Sequence, residues 1–285
     1  SDLNQLIPLL TSALLSSKDG SLSFSSISEV SSFKQQLQTY DSELQKVFST
    51  DSYKRIQWLK LALDRCNIIG LITSKSGEEA GTGFVINGKS LSDKLDDDWY
   101  FFTNSHVITD DDDVIKNFPN LRKPLRPEQA LISFQELFDP EKPEFKIAEI
   151  VWTSPPGELD ATLLRFTESF YDEVEEPFDI QHDFSSENTD TRLYIIGHPN
   201  GGQLSISLHD NHLIEFNETL LQYRTPTDPG SSGSPIFNKS WELVGIHHAG
   251  SDKRKMLSKP NKRHEANEGI LIGPIIDAIE AHLTE

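Results

Sequence analysis

The segment of the chain with the clearest chemical potential is residues 228–235, Asp-Pro-Gly-Ser-Ser-Gly-Ser-Pro, which lies between two apolar runs. Gly230 and Gly233 allow a backbone turn so tight that the Ser232 hydroxyl projects from the loop while nearby amides point into one small space. Acyl transfer requires this combination of a nucleophilic hydroxyl and converging N–H donors. An ordinary Gly/Ser hairpin turn is the alternative interpretation of these residues taken alone.

A nucleophilic serine needs a base and a group that orients the base, and the sequence offers both at predicted strand ends. His106 follows the run Phe-Phe-Thr-Asn-Ser of residues 101–105, and Asp160 opens the apolar run of residues 161–164. Either residue alone is weak evidence for a catalytic site, since surface histidines and aspartates before strands are common. The order His106, Asp160, Ser232 indicates a nucleophile with its base and its orienting carboxylate.

Short runs of β-branched and aromatic residues separated by turn signals fill the chain from residue 68 onward and predict the strands that would position these side chains. No helical segments alternate with the runs, as a parallel sheet would require, so two antiparallel barrels or a sandwich are expected. Residues 272–283 have helical spacing and predict a C-terminal helix. The predicted strands are residues 68–74, 83–86, 100–103, 130–134, 146–152, 162–166, 193–196, 204–208, 221–224, 235–237 and 243–247.

The first 66 residues have a different pattern. Apolar residues recur at spacings of three and four from Ile27 to Val47 and again from Tyr53 to Cys66, which predicts helices that bury one face, with Cys66 in the core. With an opening segment near residues 3–15, they predict a bundle of about three helices. Residues 1–66 hold seven acidic and seven basic side chains, so the net charge of -19 falls on the remainder and a domain boundary is predicted after residue 66.

Four motifs carry a resemblance to a known family. Residues 81–86, 103–107, 160–163 and 230–235 read Gly-Thr-Gly-Phe-Val-Ile, Thr-Asn-Ser-His-Val, Asp-Ala-Thr-Leu and Gly-Ser-Ser-Gly-Ser-Pro. In this order they resemble the strand before the histidine, the histidine motif, the aspartate motif and the nucleophile loop of the trypsin-like serine peptidases. The resemblance runs from residue 68 to residue 283, roughly three quarters of the chain.

The resemblance implies a mainly β fold with two six-stranded antiparallel barrels, the first at residues 67–180 and the second at residues 181–285 together with the C-terminal helix. The N-terminal helical domain of residues 1–66 would precede them. The catalytic cleft would lie between the two barrels.

In the mechanism that the resemblance implies, His106 takes the proton of Ser232 and Asp160 fixes the imidazole tautomer. The amides of Gly230 and Ser232 would form the oxyanion hole. The expected function is therefore that of a serine endopeptidase acting on proteins or peptides.

The sequence departs from the digestive members of the family. Residue 231 is a serine where those enzymes carry an aspartate that pairs with a newly cut N-terminus, so activation by cleavage before Ile68 is disfavoured. Cys66 is the one cysteine, which excludes an internal disulfide. The chain looks more like the disulfide-free branch that contains V8-type glutamyl endopeptidases and 3C-like viral enzymes.

The expected cleavage specificity rests on residues 245–250, Gly-Ile-His-His-Ala-Gly, which resemble the strand that lines the S1 pocket of Glu- and Gln-specific members. His247, with Thr227 opposite, could donate hydrogen bonds to a carboxylate or an amide. The residues from His248 to Gly250 would pair with the substrate backbone as an added strand. Cleavage after Glu or Gln is predicted; a buried His247 satisfied by neighbouring backbone is the alternative.

The amino-acid composition argues against some classes of binding partner. Among 285 residues, 26 Lys and Arg stand against 45 Asp and Glu, so nucleic acid and anionic membranes are not expected partners. A single cysteine fits a reducing compartment, and the apolar residues 6–15 are too short to span a bilayer, so a cytoplasmic location is predicted. No cofactor or metal is expected, because the histidines lack a recognised ligand spacing.

The sequence also bears on two rival functions. An α/β-hydrolase esterase fails because Ser234 stands where its elbow needs a second glycine and because its chain order is Ser, Asp, His. A catalytically silent scaffold that binds a peptide or a partner protein stays open. The helical region could recruit a partner or restrain activity, by analogy with effectors of bacterial defence systems, or could simply stabilise the barrels.

Overall fold

The structure is a computed structural model that describes residues 56–119, 123–134, 144–168, 170, 179–186 and 191–284. The chain divides into two units, Ser1–Tyr53 and Lys54–Glu285, and the described residues all belong to the second. Most of the predicted helical domain lies outside the described residues. That domain, and its boundary after residue 66, stay predictions.

Six antiparallel strands close into a barrel in the order β1-β2-β3-β6-β5-β4. The barrel closes because the inward faces of these strands carry large apolar side chains. Phe134 and Phe170, which lie outside the strands, extend this core: the ring centroids of Phe101 and Phe134 are 6.2 Å apart and those of Phe134 and Phe170 are 4.9 Å apart. The strands are β1 (Ile69–Ser74), β2 (Glu79–Asn87), β3 (Trp99–Thr103), β4 (Ala130–Ser133), β5 (Phe145–Ser154) and β6 (Ala161–Phe166).

The second half of the chain forms a seven-stranded antiparallel sheet in the order β8-β7-β11-β12-β13-β10-β9. The mainly β fold class is confirmed, although this second sheet is open where the resemblance implies a six-stranded barrel. The strands are β7 (Tyr194–Gly197), β8 (Ser205–Ser207), β9 (Leu213–Phe216), β10 (Leu220–Tyr223), β11 (Pro235–Phe237), β12 (Leu243–Lys255) and β13 (Arg263–Leu271).

Four α-helices lie within the described residues: α1 (Ile56–Cys66), α2 (Gly88–Leu91), α3 (Asp112–Asn117) and the C-terminal α4 (Ile272–His282). Two short 3-10 turns occupy Pro127–Gln129 and Pro199–Gly201. None of the helices in the described part of the chain combines the length and the apolar run that a bilayer span requires.

Helix α1 packs against the second sheet, although it was predicted as the end of the N-terminal domain. The Trp58 ring lies 5.4 Å from the ring of Tyr194 and 4.9 Å from that of Trp241, and its indole N–H donates to the Lys239 carbonyl at 2.8 Å. Cys66 is buried at the end of α1 and is a free thiol, as the sequence predicts.

The predicted strands all correspond to observed ones, with ends shifted by up to four residues except in β12. Strand β12 continues eight residues beyond the predicted end, to Lys255, and pairs with the unpredicted β13. Strand β9 was also not predicted.

Candidate active site

Two consecutive β-turns form the loop that carries Ser232. The Ser231 amide donates to the Asp228 carbonyl at 3.0 Å, and the Ser234 amide donates to the Ser231 carbonyl at 3.0 Å. Gly230 and Gly233 occupy the third position of these turns with φ angles of 97° and 89°. Because a positive φ at that position strains other residues, both glycines are required by the turn geometry.

The same two glycines also permit close packing of the loop. A Cβ at Gly233 would lie 2.0 Å from the Thr82 carbonyl oxygen, and a Cβ at Gly230 would lie 2.7 Å from the His198 carbonyl oxygen. Within the described residues, the amides of Gly230 and Ser232 find no hydrogen-bond acceptor. Two unpaired donors in one tight loop are suited to stabilise an oxyanion.

His106 and Asp160 form a direct pair. Nδ1 of His106 lies 2.7 Å from Oδ2 of Asp160, whose other oxygen accepts from the His106 amide at 3.1 Å and from the Ser105 hydroxyl at 3.0 Å. Asp160 follows the β5–β6 turn in the left-handed region, with φ of 42°. The Phe118 ring stacks on the imidazole of His106, with centroids 5.5 Å apart and an interplanar angle of 7°.

Backbone hydrogen bonds bring the Ser232 loop to the edge of this pair. The Thr82 amide donates to the Ser232 carbonyl at 2.9 Å, and the Gly233 amide donates to the His247 carbonyl at 2.9 Å. The residue after His247 then contacts Asp160 directly. The Ser232 hydroxyl is half-buried and has no hydrogen-bond partner among the described residues. Backbone hydrogen bonds therefore hold the loop in place, while the hydroxyl remains free to rotate.

His248 lies between two buried carboxylates. The sequence predicts only that this residue lies on the strand that pairs with the substrate. Its Nδ1 lies 3.2 Å from Oδ2 of Asp160 and its Nε2 lies 3.1 Å from Oε1 of Glu268. Arg254 and the Gln222 amide also donate to Glu268. Asp160 is therefore the first member of a network that crosses the second sheet.

The charges of this network are mutually dependent. Burial opposes the charged form of His248, but hydrogen bonds to Asp160 and Glu268 outweigh burial and raise its pKa. Burial would raise the pKa of Asp160, yet His106 and His248 hold it well below its usual range. Burial also opposes the charge of Glu268, but His248, Gln222 and Arg254 lower its pKa to about 2. The two carboxylates on either side of His248 therefore favour its charged, imidazolium form.

His247 lies in a cleft of about 1050 Å³ that Ser232, Thr227 and Gly250 also line. The side chain is 4 % exposed, and the Tyr223 hydroxyl lies 2.6 Å from its Nδ1. Complete burial, helped by the nearby positive charges of His248, His106 and Arg254, lowers the pKa of His247 to about 3. The imidazole is therefore neutral at physiological pH.

Several residues of the site escaped sequence reasoning. Phe118, Tyr223 and Glu268 come from a loop and two strands remote in the sequence, and only the sheet register brings them to the histidines. The two adjacent histidines, His247 and His248, are the one feature of the sequence that could have indicated a larger polar cluster here. Strand alternation alone could not place the two side chains, because a register shift between His247 and Ala249 interrupts the regular pairing of β12 with β13.

No group of three or more His, Cys, Asp or Glu side chains within the described part of the chain has the arrangement of a metal site.

The family model described as a trypsin-like peptidase domain matches residues 81–246, more than half of the chain. The chain belongs to the trypsin-like peptidase family. The predicted resemblance to the trypsin-like serine peptidases is thereby confirmed. Membership of the V8-type branch stays a prediction.

Two solved structures share the fold of this trypsin-like chain. The inactive form of the Rv3671c protease from M. tuberculosis is 14% identical, with a TM-score of 0.50 over 79% of this chain and 93% of that one. The serine endoprotease from Yersinia pestis is 16% identical, with a TM-score of 0.50 over 80% of this chain and 67% of that one.

A curated relative, the uncharacterized protein y4fB of Sinorhizobium fredii, is 28% identical over 196 residues, or 62% of this chain. The match spans only 26% of the length of that relative.

Proposed function

We propose that this chain is a serine endopeptidase that cleaves protein substrates with Ser232 as nucleophile, His106 as general base and Asp160 as the orienting carboxylate. The observation that most supports the proposal is the 2.7 Å contact between Nδ1 of His106 and Oδ2 of Asp160, next to a serine loop with two unpaired amides. An ordinary hairpin turn does not require a histidine–aspartate pair beside it.

In the proposed reaction, Oγ of Ser232 attacks the scissile carbonyl while Nε2 of His106 accepts the hydroxyl proton. Rotation about the Ser232 Cα–Cβ bond would bring the free hydroxyl to the imidazole. The amides of Gly230 and Ser232 would donate to the oxyanion, each contributing on the order of 3 kcal/mol to lowering the barrier. His106 then protonates the leaving amine, and a water molecule hydrolyses the acyl-enzyme by the same steps in reverse order.

A fluorophosphonate probe tests the proposal, because it reacts only with a serine that a base and an oxyanion hole activate. We expect a single labelled peptide containing Ser232 and complete loss of labelling in Ser232→Ala. His209→Ala, which changes an exposed histidine of the same cleft, is the matched control and should label as the wild type does. An unlabelled wild-type protein that still unfolds cooperatively would favour the silent scaffold instead.

For specificity we propose cleavage after Gln in preference to Glu. Among the described residues the Tyr223 hydroxyl has no acceptor other than Nδ1 of His247, so the tautomer with a proton on Nε2 satisfies both groups. A neutral Nε2–H donor suits the carbonyl oxygen of a Gln side chain. A Glu side chain would instead meet the carboxylates that line the cleft, which are Asp210, Asp228, Asp252 and Glu265.

His247→Ala is expected to lower kcat/KM for peptides with Gln at P1 by about ten- to a hundredfold, because the buried carbonyl loses its donor. Peptides with Ala at P1 should lose far less, since they make no such hydrogen bond. A P1-randomised peptide library measures both effects, with His209→Ala as control. An unchanged P1 preference in His247→Ala would reject this pocket assignment.

We also propose that the N-terminal region recruits a partner or restrains the peptidase. A truncation that tests this role should end at residue 53, because the Trp58 ring of α1 packs on Trp241 of the peptidase unit. Deletion through residue 66 would remove that contact. A loss of activity could then come from a destabilised peptidase unit and would not report on regulation by the N-terminal region.

A further inference from the structure

The tip of the β12–β13 hairpin is strongly basic in a chain whose net charge is -19. Six of the 26 basic residues fall between residues 253 and 263, and five of them have exposed side chains. Within the described residues none of these five forms an ion pair, whereas the sixth, Arg254, is bonded to Glu268. The five exposed cations are Lys253, Lys255, Lys259, Lys262 and Arg263.

The hairpin is fixed in place rather than loosely attached. The carboxylate of Glu215 on β9 accepts from the amides of Leu257 and Ser258 at 2.8 and 3.0 Å, which holds the turn. The ion pair of Arg254 with Glu268 holds the base of the hairpin. A ligand of this tip would therefore meet cations that a fixed backbone presents, so the hairpin itself would not have to be ordered on binding.

One edge of β12 is open along the same hairpin. Strand β11 pairs with β12 only between Leu243 and Ile246, while β13 pairs with the opposite edge as far as Lys255. In the described part of the chain no strand pairs with the first edge after His247. An extended peptide can add to such an edge as a further strand.

This open edge runs from the active-site cleft to the cations. Gly250 and Ser251 line the cleft together with Ser232 and His247, and Lys255 ends the strand five residues after Gly250. At about 3.3 Å per residue, these five residues span about 17 Å. A substrate strand antiparallel to β12, with its P3 residue opposite Gly250, would bring residues about P5 to P8 to the basic tip.

We propose that the β12–β13 hairpin is a second recognition site of the peptidase, which binds an acidic segment about five to eight residues before the scissile bond. The proposal rests on the proposed function of the cleft. A protein segment fits better than a nucleic acid, because the exposed carboxylates of Asp252 and Glu265 stand between the cations and the cleft and would repel a continuous phosphate backbone.

Two fluorescein-labelled peptides test the proposal. They are identical from P4 to P4′, with Gln at P1, and carry either four Glu or four Ser residues at P5–P8. We expect Ser232→Ala protein to bind the Glu peptide about tenfold more tightly by fluorescence anisotropy, and the wild type to show a similar ratio of kcat/KM. The ratio should fall to about one in Lys253→Gln/Lys255→Gln/Lys262→Gln and in 0.5 M NaCl, about the salt at which exposed ion pairs are screened.

The control is Lys75→Gln/Lys146→Gln/Lys239→Gln, which removes three exposed lysines elsewhere and should keep the ratio. Equal affinity for the two peptides, or an unchanged ratio in the hairpin variant, would overturn the proposal. Competition by a single-stranded oligonucleotide as effective as by the Glu peptide would also overturn it, in favour of a general polyanion site. Failure of the wild type to cleave either peptide bears on the proposed function alone, because the binding ratio is measured independently of cleavage.

Discussion

Replacing Ser232 with alanine is expected to lower kcat by about five to six orders of magnitude, the loss typical of removing the nucleophile of a serine peptidase. Alanine leaves no atom to form the acyl-enzyme. The fold should be unaffected, because the turns at Gly230 and Gly233 set the loop and the Ser232 hydroxyl has no hydrogen-bond partner among the described residues. Steady-state hydrolysis of a peptide substrate and the midpoint of thermal unfolding measure the two quantities.

His106→Ala is expected to cost nearly as much as Ser232→Ala, since the hydroxyl is a weak nucleophile without its base. The double variant should then be no slower than either single variant, because the two side chains act as one unit. His209→Ala supplies the control for loss of an imidazole from the cleft. Losses that multiply in the double variant would mean that Ser232 and His106 do not share a catalytic step.

The positions of the three candidate catalytic residues could be read from the sequence because each lies in a short local motif. Gly230 and Gly233 favour tight turns on either side of Ser232, and the runs before His106 and after Asp160 predict strand ends. The pairing of His106 with Asp160, 54 positions away, required only that these strand ends meet, as the order of motifs predicts.

The network behind Asp160 could not be read in the same way. Glu268 lies on β13, whose sequence from Arg263 to Leu271 is too polar to resemble a strand. Its pairing with β12 depends on sheet register, and a bulge between His247 and Ala249 alters which way His248 points. Register of this kind is set by contacts distant in sequence.

The helical period of residues 56–66 predicts helix α1, but it does not identify the surface against which this helix packs. The sequence groups residues 56–66 with the predicted helices before them, since all of these segments share an amphipathic pattern. The structure packs Trp58 of α1 against Tyr194 and Trp241, because a large aromatic side chain can be buried by whichever apolar surface lies nearest. Periodicity identifies a buried face and does not identify its partner.

Asp160→Asn is expected to lower kcat/KM by about four orders of magnitude while leaving the fold intact. The two hydrogen bonds to Oδ1, from Ser105 and from the His106 amide, require an acceptor, so the asparagine oxygen should keep that place. Its NH2 group would then face Nδ1 of His106 and donate to it. That hydrogen bond selects the tautomer with a proton on Nε2, which cannot accept the proton of Ser232.

His248→Ser is the matched comparison, because it removes another partner of Asp160 and leaves the pair with His106 in place. The loss of rate should be much smaller, and the acid limb of the pH profile of kcat/KM should move to higher pH. The sign follows from charge. The carboxylates beside His248 favour its charged form, which offsets the negative charge of Asp160, and in His248→Ser this offset is lost, so a proton near Asp160 is held more strongly. The outcome against this role would be an equal loss of kcat/KM in Asp160→Asn and His248→Ser with no movement of the acid limb. It would show that Asp160 acts by holding the network with Glu268 and does not act by fixing the tautomer of His106.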